Sequence, residues 1–147
     1  MEITLVRGDI TEQQVDAIVT AANEQLLGGG GVDGAVHAAA GPRLLEACRP
    51  LAPCRPGQAV VTPAFDLAPV RWVIHAVGPV YAGPEDATTL ASAYLSALAR
   101  ADEVGARSVA LVIKSSKWSI PEAARVASGP GLNVLTRMPL GPISAAI

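Results

Sequence analysis

Aromatic residues are scarce in this chain: two Trp, two Tyr and one Phe in 147 residues, or 3%. With half of all residues hydrophobic, the core has to be built from Ala, Val, Leu and Ile, and the composition is that of a globular protein and not of a disordered one. Cysteine is limited to Cys48 and Cys54, which excludes a disulfide framework. With no signal-peptide pattern at the start, a reduced, cytoplasmic setting is the expectation. Basic charge is also short. A formal net charge of -2 and no Lys/Arg block argue against gripping nucleic acid by phosphate neutralisation, so any bound phosphate would be held by backbone dipoles. No apolar run approaches the ~18 residues that cross a bilayer, so no membrane partner is expected. His37, Cys48, Cys54 and His75 match no standard metal-ligand spacing, and no metal site is expected.

Glycine, in contrast, is concentrated. Gly28-Gly29-Gly30-Gly31-Val32-Asp33-Gly34 strips side chains from a backbone that then enters an apolar, helix-prone segment. Four adjacent glycines cost conformational entropy and add no packing, so their use implies that backbone amides approach something closely. A phosphate at a helix N-terminus is the usual guest. The same heptad is also compatible with a surface loop in which Asp33 is an ordinary helix cap.

The size, 15.0 kDa, fits one domain with its own core. Strands are expected over residues 1–6, 15–22, 58–63, 70–77 and 108–113, from β-branched runs between Gly/Pro punctuation. Helices are expected over 32–40, from Pro42 to about Leu51, and over 87–105, the last with Leu90, Tyr94, Leu95, Leu98 and Ala101 on one stripe. Strands alternating with helices predict a three-layer α/β/α fold with both sheet faces covered. Ligands of such folds sit beyond the carboxyl ends of strands, where Asp9, Asn23 and the glycine run all fall. Beyond residue 114 the pattern weakens: Ile120 to Ala127 can start a helix, but Gly129-Pro130-Gly131 breaks it, and Pro139 and Pro142 disfavour a regular final element.

Gly8-Asp9-Ile10-Thr11, Val15-Asp16-Ala17-Ile18-Val19, Ala21-Ala22-Asn23, the glycine heptad running into Ala35-Val36-His37, and Ile74-His75-Ala76-Val77-Gly78-Pro79 together resemble the macrodomain family. The wording from Leu26 to Asp33 is similar to the subclass whose members remove ADP-ribose from proteins and deacetylate O-acetyl-ADP-ribose. The resemblance is good over residues 1–113, returns at Glu122 to Ala127, and gives way to a divergent tail over 128–147. It implies a single macrodomain with a mixed central sheet and an atypical or truncated C-terminal part.

The resemblance also implies roles. The residue matching Asp9 accepts hydrogen bonds from the adenine amine, a task suited to a carboxylate at a strand end, and Ile10 lies along the base. Asn23, able to donate and accept, matches the Asn at the distal ribose. Asp33, whose charge a helix N-terminus favours, matches the residue that holds or activates a water beside that ribose. Gly28, Gly29, Gly30, Gly31 and Val32 would supply amides to the diphosphate. Local readings stand beside these: Asp9 as a turn former, Asn23 as a loop residue. His37 and His75 lie among apolar neighbours and are expected to be packed, not catalytic.

Two positions depart from the family. Thr20 stands where the first of two Asn is usual, a change that a strand position tolerates. The second phosphate loop, usually a Ser-Thr-Gly stretch with an aromatic and another Gly, reads Lys114-Ser115-Ser116-Lys117-Trp118-Ser119-Ile120-Pro121, with no glycine. If this segment contacts ligand, Ser115, Ser116 and Trp118 are the candidates, with Lys114 and Lys117 compensating by charge; the alternative is that it makes no contact.

The expected function is therefore ADP-ribose binding with hydrolysis of ADP-ribose esters by water. Asn23 and Asp33 would be catalytic, no cofactor would be required, and the partners would be ADP-ribose, O-acetyl-ADP-ribose and mono-ADP-ribosylated proteins. ADP-ribosylated nucleic-acid ends are the one nucleic-acid substrate left open. The alternative is a non-catalytic ADP-ribose reader, which needs Asp9 and the glycine loop alone. A nicotinamide-dinucleotide oxidoreductase, suggested by Gly29, Gly31 and Gly34 in GxGxxG spacing, is disfavoured because these glycines lie several residues past the strand.

Overall fold

The computed structural model describes residues 4–80, 82–83, 86–113 and 134–139. Six strands form one sheet: β1 (Thr4–Arg7), β2 (Ala17–Ala21), β3 (Ala59–Pro63), β4 (Trp72–Ala76), β5 (Ser108–Ile113) and β6 (Val134–Pro139). Their order across the sheet is β1-β6-β5-β2-β4-β3. β2 pairs parallel with β4 and β5, while β3–β4, β5–β6 and β1–β6 are antiparallel. The sheet is thus mixed, and the carboxyl ends of β1 and β2 fall on the same side.

Alternation along the central strands builds two cores. Ile18, Val73, Val77 and Ala110 join Val36, Ala40, Leu44 and Cys48 of helices α1 (Gly31–Ala40) and α2 (Pro42–Cys48) in one cluster. Ala17, Val19, Ile74, Ala76, Val109 and Leu111 join Ala97 and Ala101 of helix α3 (Asp86–Glu103) in the other. Successive strand residues point to opposite faces, so a strand apolar at every position can only sit between two helical layers. This is the three-layer α/β/α arrangement that the sequence predicts.

Pro42 opens α2, and the segment to Leu51 finishes as one 3-10 turn, Arg49–Leu51. On α3 the expected stripe is shifted. Ala93, Ala97 and Ala101, spaced four apart, are buried, Leu90, Tyr94 and Leu98 flank them, and Leu95 is 68% exposed. Small side chains let the helix axis approach the sheet closely, leaving the larger ones to fill its margins.

The other correction is β6. The prolines near the chain's end argue against a regular final element, yet residues 134–139 form a strand between β1 and β5. Pro139 occupies the last position of that strand, opposite Ser108, so the ladder does not have to continue past it. The Ile120 to Ala127 helix and the remainder of the 128–147 tail lie outside the described residues.

At the end of the sheet away from the carboxyl termini of the parallel strands, Asp16 ties several segments together. Its carboxylate accepts from the amides of Arg107 and Ser108, and its carbonyl from those of Arg71 and Trp72. This anchor frees the opposite end of the sheet for loops with other duties.

Candidate functional site

The loops at the carboxyl ends of β1 and β2 carry most of the residues singled out from sequence. Asp9 caps the 3-10 turn Ile10–Glu12. Its Oδ1 accepts from the Thr11 hydroxyl at 2.7 Å and the Thr11 amide at 2.8 Å, and these bonds, the hydroxyl's first, hold the carboxyl below its ordinary range. Oδ2 makes no side-chain hydrogen bond among the described residues, and Asp9 is exposed, so an acceptor faces outward. Ile10 is buried in the α1/α2 core beside Val36 and Val32, bringing the turn against α1.

After β2 the chain folds back through Asn23 to Gly30. The Asn23 side chain stays within this loop: Oδ1 accepts from the Leu27 amide at 3.3 Å and Nδ2 donates to the Gly28 carbonyl at 3.4 Å. Gly30 is the residue before α1, and Gly31 begins the helix at φ 64°, a left-handed conformation that favours glycine. Gly34 is required for another reason. A Cβ there would run into the Gly29 carbonyl oxygen, so the loop lies directly on the first turn of the helix. Gly29, Gly30 and Gly31 are exposed above it, where bare amides of a helix N-terminus suit an anion.

Asp33 lies beneath that loop, 3% exposed. Oδ1 accepts from the Thr20 hydroxyl at 2.9 Å, while Oδ2 is buried with no hydrogen-bond partner among the described residues. A Cβ built on Gly29 would stand 3.9 Å from both Asp33 Oδ2 and Asn23 Nδ2, so the two expected catalytic residues face the same glycine. A cavity of about 190 Å³ opens here, lined by Thr20, Gly30, Gly31, Asp33, Gly78 and Tyr94 among others. Burial pushes the Tyr94 phenol up. Asp33 is the cavity's acidic residue, set against walls that are otherwise largely apolar.

A buried polar group continues inward. His37 Nε2 lies 3.9 Å from Asp33 Oδ1, too far for a hydrogen bond, and its ring packs under Gly28. His75, with no exposed surface, has Nε2 at 3.0 Å from the Thr62 hydroxyl and 3.6 Å from Cys48 Sγ. Burial first, and then the neighbouring His37, lowers its pKa to about 4, so at neutral pH it is an uncharged packing residue, as expected. Burial, aided by Asp33, pushes the Cys48 thiol up to about 11, which makes it a poor nucleophile. His37, Cys48 and His75 offer ligand atoms within 4.8 Å of one another, and Cys54 stands outside that group.

Asp9, Ile10, Asn23, Gly28 to Val32 and Asp33 therefore lie at one end of the sheet; of these, Gly30, Gly31, Val32 and Asp33 line the cavity, and Asp9, Ile10, Asn23, Gly28 and Gly29 lie outside its lining. Ser115, Ser116 and Trp118, with Lys114 and Lys117, lie outside the described residues. Sequence reasoning missed Thr20 as the partner of Asp33. The available signal was its parity with Ile18, which aims it at α1, combined with a hydroxyl inside an otherwise apolar strand. No helix among the described residues is long and apolar enough to cross a membrane.

Comparison with known proteins bears on these features. The macro domain model matches residues 19–124. A macro domain-containing protein of Streptomyces coelicolor is 52% identical over 135 residues, covering 85% of this chain and 79% of the relative. An O-acetyl-ADP-ribose deacetylase of an Enterobacter species is 49% identical over 148 residues, covering 95% and 82% respectively. Among solved structures, an Oceanobacillus iheyensis macrodomain with ADP superposes with TM-score 0.66 at 35% identity, covering 76% of this chain and 69% of that one. A Trypanosoma brucei macrodomain in complex with ADP-ribose gives 0.65 at 46% identity, covering 71% of this chain and 44% of that one. The mixed sheet between helical layers, the glycine loop lying on α1, and matches spanning most of the chain lead to one conclusion: the chain belongs to the macro domain family.

Proposed function

We propose that this protein binds ADP-ribose and hydrolyses esters of it, including O-acetyl-ADP-ribose and ADP-ribose linked to acidic side chains of mono-ADP-ribosylated proteins. The observation that carries the reading is Asp33: a buried carboxylate with one oxygen fixed by Thr20 and the other without a partner among the described residues, beside a cavity at a helix N-terminus. Relatives named O-acetyl-ADP-ribose deacetylase at 49% and 47% identity support the reaction class. Macrodomains solved with ADP and ADP-ribose support the ligand.

In this reading Asp9 Oδ2 accepts from the adenine amine, Ile10 lies along the base, and the amides of Gly28 to Val32 hold the diphosphate. Asn23 orients the distal ribose, and Asp33 Oδ2 accepts a proton from a water that attacks the ester carbonyl. The new bond joins the water oxygen to the acyl carbon and the broken bond frees the ribose oxygen, which takes the proton. Loop amides stabilise the charge that develops. Ser115, Ser116 and Trp118 are proposed to complete the diphosphate and ribose contacts.

One observation favours a second reading, a reader without catalysis: each polar atom of the Asn23 side chain makes a hydrogen bond within its own loop. Incubation with O-acetyl-ADP-ribose decides between them. Release of acetate by the native chain, abolished in Asp33→Ala, is the expected result; ADP-ribose binding with no acetate released would leave the reader.

A further inference from the structure

Thr20 occupies a position where its strand has no packing use for a hydroxyl. Along β2, Ala17 and Val19 enter the α3-side core and Ile18 the α1-side core. The period of two sends Thr20 to the Ile18 side, against α1. It is 1% exposed. A buried hydroxyl costs free energy unless it finds a partner, and this one finds Asp33 Oδ1 at 2.9 Å across the junction between strand and helix. No other side chain hydrogen-bonds Asp33 among the described residues, since His37 Nε2 stops at 3.9 Å.

We infer that Thr20 is a positioning residue: by holding Oδ1 it fixes the rotation of the Asp33 carboxylate, so that Oδ2 alone is presented to the attacking water. Asp33 sits in the first turn of α1, and its side chain would otherwise turn about two torsions within the cavity. One donor on a rigid strand removes that freedom. Thr20 also lines the cavity, but its hydroxyl is committed to Asp33 and acts on the reaction only through it. This inference rests on the hydrolase reading and adds the residue that sets the geometry of its base.

The test compares the native chain with Thr20→Val, which keeps the shape and deletes the donor, and Thr20→Ser, which keeps the donor. Displacing a catalytic group by about an ångström costs on the order of a hundredfold in rate. Thr20→Val should therefore lower kcat for O-acetyl-ADP-ribose by at least about tenfold with KM within about twofold of native, and leave calorimetric ADP-ribose affinity unchanged. Thr20→Ser should restore kcat to within about threefold, and adding Thr20→Val to Asp33→Ala should cause no further loss. If Thr20→Val does not fold, Thr20→Ala carries the same expectations. A native chain without turnover overturns the hydrolase reading and this inference with it. Native turnover combined with an unimpaired Thr20→Val, or with a Thr20→Ser as slow as Thr20→Val, overturns this inference alone.

Discussion

On the α3 side the sheet presents Ala17, Val19, Ile74, Ala76, Val109 and Leu111 to Ala97 and Ala101 of the helix. The side under α1 and α2 is also well packed, around Ile18, Val36, Leu44 and Val73, but it buries Thr20, Thr62, His75 and Asp33 as well. These four are the buried polar residues among the described ones, and all lie on that side. Apolar packing gains free energy in both layers, while polar groups taken from water must be repaid by hydrogen bonds. The α3 side buries apolar groups and gives the cavity its apolar wall through Leu90, Ala93 and Tyr94, while the α1/α2 side gives up some stability to hold a carboxylate beside that cavity.

The sharpest way to break this contrast is Asp33→Ala. Loss of a positioned general base costs about 100- to 10,000-fold in rate, so kcat for ester hydrolysis should fall by that order while ADP-ribose affinity changes far less. Turnover equal to native would remove the functional side of the contrast. From the other side, Ile74→Ala should cost about 3 kcal/mol in urea denaturation and leave turnover per folded molecule unchanged, because Ile74 belongs to the α3-side core and does not line the cavity.

Titration of His75 gives a third distinction. Folding lowers its pKa from 6.5 to about 4, so between these values the unfolded chain takes up a proton that the folded chain refuses. Stability should fall as pH drops from about 6.5 toward 4, by about 3 kcal/mol in total, and this contribution should flatten below that. His75→Gln should flatten the slope across the same window, read from denaturation midpoints at stepped pH. The smallest expected effect belongs to Gly34→Ala. Its methyl forces the Gly29 carbonyl off the helix, and ADP-ribose affinity should drop about tenfold, worth about 1.4 kcal/mol.

How much of this was legible beforehand follows the same division. Strands β2 and β5 and helix α1 could be read closely because apolar runs between turn residues have few alternatives. The stripe on α3 was right at Tyr94 and Ala101 and wrong at Leu95, because alanine carries little hydrophobic signal and the buried Ala93 and Ala97 went unread. Strand β6 was missed because Pro139 outweighed the β-prone residues before it, and a strand's last position tolerates proline. Within the candidate site, Asp9 and Asn23 were singled out through the family resemblance and the glycine loop through its own composition. Thr20 was not, since its importance lies in a contact 13 residues away that only the packing of α1 on β2 creates.

The most direct test of the account is a calorimetric titration of the 147-residue chain with ADP-ribose, run beside Asp9→Ala. Saturable binding of one ligand per chain, weakened at least about tenfold by the substitution, is the predicted result. It would establish that the loops at the carboxyl ends of β1 and β2 form the pocket. Absence of binding by a chain that shows a cooperative unfolding transition would contradict the account, leaving a macro domain fold without the ligand proposed for it.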